Sequence, residues 1–502
     1  MEKNTKSKIS GSKIEKLKLT FCGGVGSVTG ANFLLTGPLV GGSTASGGVE
    51  SDAGSDSSKT FSVLVDCGLE QGTHDAETNN HKDFLYNPVN AEVLLITHAH
   101  MDHIGRVPKL VRDGFKGIIY STPETKKLAV VMLADALKLT TQAALRNGLP
   151  PLYEDEDVVQ AFKLWQTIPY HQHHQLSPGY SVYLKDSGHV LGSCMFELTY
   201  TAEGEDKKRK IVFTGDLGNS PTPLLKDTEP VTDADYILME SVYGDKNHED
   251  REHRIDKLAN VIRENHEKGG VLLMPIFSLE KAQEILFEIH KLFDEHKLPR
   301  TNVYLDSPLA IKLTDIYRTM IVDFNQSAQA DAHKGHHHDI FSFPGLHVIQ
   351  NSEESKNIVR EQGSKIIMAG SGMSNGGRIQ HHELNYLGDP RNTIVFIGYQ
   401  AVGTMGRMIQ EGASEVEIMG NRVAVRAKLE KIDGYSSHKD SDHLVEFVEQ
   451  SADTLRKVFV VMGETKSSLF LAQRIRDNLG INAVHPEEGD SVVLELVWID
   501  LY

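Results

Sequence analysis

The stretch LLITHAHMDHIG, Leu94 to Gly105, places His98, His100, Asp102 and His103 within six residues, directly behind the apolar run VLLIT. A histidine satisfied inside a core occurs singly, and a surface histidine tract has no reason to follow a buried-strand pattern. Metal ligation accounts for the spacing. On an extended or tightly turning segment alternate residues point the same way. His98 and His100 therefore address one ion, while Asp102 and His103, past the turn, reach a neighbouring one. The pattern predicts two metal ions held at the end of a strand.

Working outward, the chain from Lys16 to about Asp216 reads as short β-rich runs that end in polar turns: KLKLTFCGG, SVLVDCG, VLLITHAH, GIIYST, YSVYLKDSGH and KIVFTGD. A two-metal site needs about seven or eight donors, so further ligands are expected at such strand ends. DSGHVLGS sets His189 in a glycine-flanked turn. VFTGDLG ends an apolar strand with Asp216, a carboxylate able to bridge two ions, and VLVDCG ends another with Asp66. Alone, each reads as a turn-capping aspartate or a solvated histidine. Beside a four-ligand cluster they read as one site.

The Gly/Ser-rich segment at 37–60 has no periodicity and is expected to be a disordered insertion. PETKKLAVVMLADALKLTTQAAL has apolar residues at helical spacing behind a proline and reads as a packed helix. From 243 to 392 helical patterns alternate with runs such as VLLMPIF, NVYLDSP and SKIIMAGSG, the signature of an α/β unit with its own sheet. The expected organisation is a tail at 1–15, a first domain from 16 to 242, an inserted α/β domain at 243–392, and a segment at 393–502 that completes the first domain.

At 502 residues, with 39% hydrophobic and 24% charged residues, the composition is that of a globular protein with room for two or three domains. No unbroken apolar run approaches the ~20 residues that cross a bilayer, and the N-terminus has no apolar h-region. A cytoplasmic protein without membrane contact is expected. Cys22, Cys67 and Cys194 are odd in number, far apart and set in apolar contexts, which suits reduced core thiols. A net charge of −17 argues against holding nucleic acid by bulk electrostatics alone. It leaves room for a local basic groove, or for metal ions that supply positive charge where phosphate sits.

In that order, Asp66, the H-x-H-x-D-H cluster, His189 and Asp216 resemble the metallo-β-lactamase-fold hydrolases. LMESVYGD, VYLDSPLA, MAGSGMSNGGR, NTIVFIGYQAVGTMGR and DGYSSHKDSDHLVEFV resemble the β-CASP subgroup, above all the bacterial and archaeal RNA endonucleases related to the polyadenylation-factor nuclease. The resemblance covers nearly the whole chain from about residue 16. It implies an α/β fold, a metallo-β-lactamase αββα sandwich with an inserted β-CASP domain. It also implies a zinc-dependent endoribonuclease, with exonuclease activity left open. By the same resemblance Glu240 is the subgroup's acidic motif, paired with His438 of SSHKD.

One position departs. Where those RNA nucleases carry His-Gly-Glu, this chain has Met462-Gly463-Glu464. The family histidine ligates the second metal, and a thioether is a poor donor for zinc. Two Zn²⁺ are expected, the second held more weakly, with Mn²⁺ as an alternative ion and His443 as an alternative donor.

The assignment that follows gives the first site His98, His100 and His189, the second Asp102 and His103, and the bridge Asp216. Asp66 accepts hydrogen bonds from ligands or water, and Asp66 and Asp102 count among the catalytic candidates. His438 protonates the leaving oxygen, with Glu240 fixing its tautomer and raising its pKa. Backbone amides of GSGMSNGGR, including Ser371 and Gly372, are candidates for a substrate phosphate, with charge from Arg378 and Arg407. HKGHHHD, His333 to Asp339, is expected to be an exposed loop. RNA is the expected partner, and a homodimer is left open. The alternatives are a hydrolase of the same fold acting on DNA or a small phosphodiester, and a non-catalytic RNA-binding relative.

Overall fold

The computed structural model describes residues 16–40, 60–72, 75–202, 208–248, 251–334 and 339–495. The expected tail, most of the expected Gly/Ser insertion and the histidines at 336–338 lie outside them. The edges of that insertion are strand: Asn32–Pro38 pairs antiparallel with Thr60–Val65 as far as Pro38 opposite Thr60. Residues 37, 38 and 60 therefore belong to a sheet. His333, expected in a loop, lies in helix Gln326–Lys334.

Two seven-stranded sheets face each other. The first runs, in spatial order, Ser491–Leu494, Leu17–Gly23, Asn32–Pro38, Thr60–Val65, Val93–Leu95, Ile118–Ser121 and Trp165–Thr167. The second runs Ala483–Val484, Lys457–Val460, Tyr236–Met239, Lys208–Phe213, Cys194–Thr201, Tyr180–Asp186 and His173–Ser177. Phe21, Phe33, Val63, Val182, Phe196, Phe213 and Phe459 fill the space between them. SVLV, VLL and IIYS are apolar on both faces because their other face meets helices Pro123–Arg146 and Asp155–Leu164. Beyond the second sheet, helices Ser441–Glu449 and Thr465–Leu479 bury Leu444, Phe447, Leu471 and Ile475 against Val212, Ile237 and Val458. The outcome is the expected αββα sandwich.

Helix Pro123–Arg146 starts on Thr122, whose Oγ1 accepts the Thr125 amide, with proline at the first helical position. By length and composition this helix is apolar enough to cross a bilayer. A search for unbroken apolar runs misses it because Lys126, Lys127 and Asp135 interrupt the run. Its buried side chains, Leu128, Ala129 and Leu133 among them, pack on the sandwich.

The inserted domain carries a parallel six-stranded sheet in the order Leu346–Val348, Asn302–Asp306, Lys365–Ala369, Val271–Pro275, Thr393–Phe396 and Lys428–Lys431. This corrects the expected boundary at 392. Thr393–Phe396 pairs with Val271–Pro275 on one side and Lys428–Lys431 on the other, so the chain returns to the sandwich only after Lys431. A four-residue apolar strand such as TIVF fits the middle of either sheet, and its sequence does not say which. One apolar cluster runs from Leu128 and Val190 of the sandwich into Ile276, Ile285 and Tyr317 of the inserted domain, so the two share a core.

Candidate metal centre

Five strand ends meet at one rim of the sandwich. Asp66 follows Thr60–Val65, His98 and His100 follow Val93–Leu95, His189 follows Tyr180–Asp186, Asp216 follows Lys208–Phe213, and Glu240 follows Tyr236–Met239. Two glycines let these loops cross. A Cβ on Gly68 would stand 1.5 Å from the Asp102 carbonyl oxygen, and one on Gly218 would stand 1.9 Å from that of Gly188. Asp66 has a left-handed backbone, φ 58°, held by its amide on the Leu95 carbonyl at 2.8 Å and by Asn32 Nδ2 on its own carbonyl at 2.7 Å.

His98 Nε2 and His189 Nε2 lie 3.1 and 3.2 Å from His100 Nδ1, and 3.5 and 3.4 Å from Asp216 Oδ2. Donors ~2.0–2.1 Å from a tetrahedral zinc are separated by ~3.3 Å, so these four atoms already stand at the spacing of one coordination shell. The other nitrogens of His98 and His189 are accounted for. His189 Nδ1 donates to the Ser437 carbonyl at 3.3 Å, and His98 Nδ1 to Thr97 Oγ1 at 3.1 Å. Thr97 in turn donates its hydroxyl and its amide to Asp66, each at 2.8 Å. Each bond leaves the inward Nε2 as a lone pair. Burial pushes His98 and His189 well below the ordinary imidazole value and His100 down to about 3, so the rings are neutral donors.

The second set is smaller. His103 Nδ1 donates to Asp66 Oδ2 at 2.8 Å, while its Nε2 is buried without a hydrogen-bond partner, 3.4 Å from Asp216 Oδ1 and 4.0 Å from Asp102 Oδ2. Burial opposes a charge on His103, yet Asp216 and Asp66 outweigh it and hold the ring well above its ordinary value. The carboxylates thus call for a cation at this nitrogen. Asp216 offers one oxygen to each set, as a bridge would. Met462 adds nothing here. Its side chain is buried in the core between the sheets, and it does not line the cavity above the cluster. His443, the alternative donor, is spent elsewhere: its Nδ1 donates to Asp440 Oδ1 at 2.6 Å and its side chain is 44% exposed.

His438 reaches the cluster from the far side of the inserted domain. The Ser437 carbonyl accepts the Asn219 amide and the Lys439 amide donates to the Leu217 carbonyl, both at 3.0 Å, which stitches this segment to the Asp216 loop. His438 Nδ1 then stands 3.1 Å from both oxygens of Glu240 and 4.0 Å from Asp216 Oδ2. Burial lowers its pKa, but Glu240 and Asp216 overcome that and raise it to about 9. The ring is an imidazolium at neutral pH, charged beside the cluster.

Models of three domain families match: the metallo-β-lactamase superfamily domain over 57–225, the β-CASP domain over 282–409, and the Zn-dependent metallo-hydrolase RNA specificity domain over 422–486. Ribonuclease TTHA0252 of Thermus thermophilus is 35% identical over 411 residues, covering 82% of this chain and 90% of that protein. The chain belongs to the β-CASP family of metallo-β-lactamase-fold hydrolases. An RNase J-like protein of Methanocaldococcus jannaschii is 30% identical over 431 residues, covering 85% of this chain and 93% of that one. Transcription termination factor FttA of Pyrococcus abyssi is 30% identical over 414 residues, 80% of this chain, and the match spans 62% of FttA. The fold implies a divalent metal, and the histidine–aspartate cluster supplies the donors for it.

The β-CASP domain forms the opposite wall of a cavity of about 610 Å³ whose lining includes His100, Asp102, His189, Asp216 and His438. Ser371 and Gly372 line it. Arg378 and Arg407 are not among the residues that line it. Arg378 is drawn away by the fully buried Asp306, 2.6 Å from its Oδ1, and by the Ile349 and Gln350 carbonyls. Asp306 also accepts from His382 Nε2 at 2.7 Å. Arg407 pairs with Glu411 one turn along its own helix, at 2.6 Å. Lys281 and Tyr399, which the sequence did not single out, also line the cavity, as does Glu464, quoted there only beside Met462. Lys281 and Tyr399 sit just past strand ends of the inserted sheet, the same signal that marks Asp66 and Asp216. Glu464 sits just past Lys457–Val460 and accepts from the Tyr399 hydroxyl.

Proposed function

We propose that this β-CASP protein is a ribonuclease that cuts RNA within the strand, using two zinc ions at the cluster. The observation that carries the reading is the position of the His438 imidazolium beside Asp216, in a cavity walled on its other side by a second domain. Such a cleft suits a polymer drawn between two domains better than a small ester. The RNA-specificity domain match and the ribonuclease and RNase J-like relatives support RNA as that polymer.

Bound zinc would supply Lewis acidity, lowering the pKa of water and neutralising charge on the scissile phosphate. The chain's own residues do the rest. His98, His100, His189 and Asp216 would hold one ion, and Asp102 and His103, with Asp216, would hold the second. Thr97 and Asp66 orient His98 and His103 from behind. His438, charged and 3.1 Å from Glu240, delivers a proton to the departing oxygen and regains it from water afterwards. Glu240 occupies Nδ1, so the transferred proton leaves from Nε2.

With three protein donors and no contribution from Met462, the second ion is bound more weakly than the first. A cytoplasmic site of action is supported by three free, buried cysteines. Single-stranded RNA and DNA oligonucleotides of one sequence, labelled internally and incubated with and without chelator, test the reading. Chelator-sensitive internal cuts in RNA alone are expected. Cuts in DNA alone would transfer the assignment to a deoxyribonuclease.

A further inference from the structure

The cavity must admit a polyanion, yet its wall is poor in positive charge. Asp102, Asp216 and Glu464 line it, in a chain of net charge −17. Among the described residues that line it, Lys281 is the one lysine or arginine. Lys281 opens helix Lys281–Asp294, beyond the end of strand Val271–Pro275, and lines the cavity together with Ser278 and His100. The helix end itself is not the anion site, because the Lys281 and Ala282 amides already donate to the Leu279 and Phe277 carbonyls.

We infer that Lys281 binds a phosphate of the substrate next to the scissile bond, and that Glu284 holds its ammonium in place for that contact. This rests on the reading of the protein as a nuclease and names a residue through which it holds nucleic acid. Lys281 Nζ pairs with Glu284 Oε2 in a nearly buried setting, each residue about 5% exposed (6% and 4%). Glu280, on the preceding residue, adds no competing charge: burial and the neighbouring Glu284 push its carboxyl up to about 8, so it is neutral at pH 7. An ammonium has three donors, and Glu284 occupies one. A buried ion pair seldom adds stability over apolar side chains of the same size, so a purely structural role gives little reason for a lysine at this wall. A charge that must meet a phosphate gives a direct one.

The test measures binding of a single-stranded RNA oligonucleotide to the full chain carrying His438→Ala, so that cutting of the probe is slow, over a series of salt concentrations. Lys281→Met should weaken binding by about tenfold or more and reduce the slope of log affinity against log salt by ~0.7, the counterion release of one single-strand phosphate. Lys281→Arg should keep both. Because Lys281→Met strands Glu284, the double variant Lys281→Met/Glu284→Gln is measured beside it. A structural ion pair predicts that the double variant recovers the parent's affinity and slope, whereas phosphate binding predicts that both stay low. Parent-like slope and affinity in either methionine variant would overturn the inference while leaving the nuclease reading intact. If the parent binds DNA and not RNA, the RNA reading fails and the same variants decide Lys281 on DNA. A parent that binds neither overturns both.

Discussion

His438 Nδ1 stands 3.1 Å from both carboxylate oxygens of Glu240, although 198 residues separate them in the chain. Glu240 is fully buried and also accepts the Leu217 amide at 2.7 Å, so its position is fixed and the ring must follow it. The pair sets a proton donor whose charge outlasts neutral pH.

That donor has a pH signature. With its pKa raised to about 9, His438 is protonated below that pH and loses its proton above it. Cleavage should therefore fall along an alkaline limb, which cations at Asp216 would set below the value of about 9 that Glu240 and Asp216 give the metal-free ring. The same sign applies to stability: what the His438–Glu240 pair contributes is fully present below the ordinary histidine value and disappears as pH rises through about 9. Glu240→Gln should move the alkaline limb to lower pH, and an unmoved limb would separate the limb from His438.

His438→Ala should slow cleavage by roughly 10²- to 10⁴-fold, as the loss of a general acid does, and leave zinc content unchanged. Elemental analysis of the variant decides between acid and ligand. Lost zinc would make His438 part of the metal shell.

Fully buried Asp306 holds Arg378 within the inserted domain, away from the lining of the cavity. Arg378→Ala strands a fully buried carboxylate and should destabilise the protein by about 3 kcal/mol or more in denaturant unfolding. KM should change little under conditions where the variant is folded. Unchanged stability with a raised KM would return Arg378 to the substrate.

Met462→His would restore the histidine that, by the family resemblance, ligates the second metal. Calorimetric zinc titration of the wild type should resolve one tight and one weaker ion, and the variant should tighten the weaker one. Two equally tight ions in the wild type would show that Met462 has no effect on the metal centre.

Which features were legible in the sequence follows from how local their causes are. His98, His100, Asp102 and His103 share one turn, and Asp66 and Asp216 each end a strand whose apolar run is visible by itself. Their meeting follows once the strands share a sheet rim. His438 and Glu240 come together through a loop crossing at Leu217 and Asn219 that no local pattern encodes, and only the family resemblance paired them. The partner of Arg378 is not visible in the sequence because Asp306, which claims it, lies 72 residues upstream. Thr393–Phe396 was put in the wrong domain because a short strand buried on both faces looks alike in every parallel sheet. Lys281 escaped because a lysine in the first turn of an amphipathic helix reads as solvated until the opposite wall of a cavity is known.

The account rests on Asp216 as the carboxylate that joins both metal sets and faces His438. The most direct measurement is zinc content and RNA cleavage of Asp216→Ala beside the wild type, each after chelation and again after zinc is returned. The wild type should lose cleavage on chelation and regain it with zinc, while Asp216→Ala should bind less zinc and stay inactive at any concentration supplied. Wild-type cleavage by Asp216→Ala, or cleavage by the wild type that survives complete removal of metal, would contradict it.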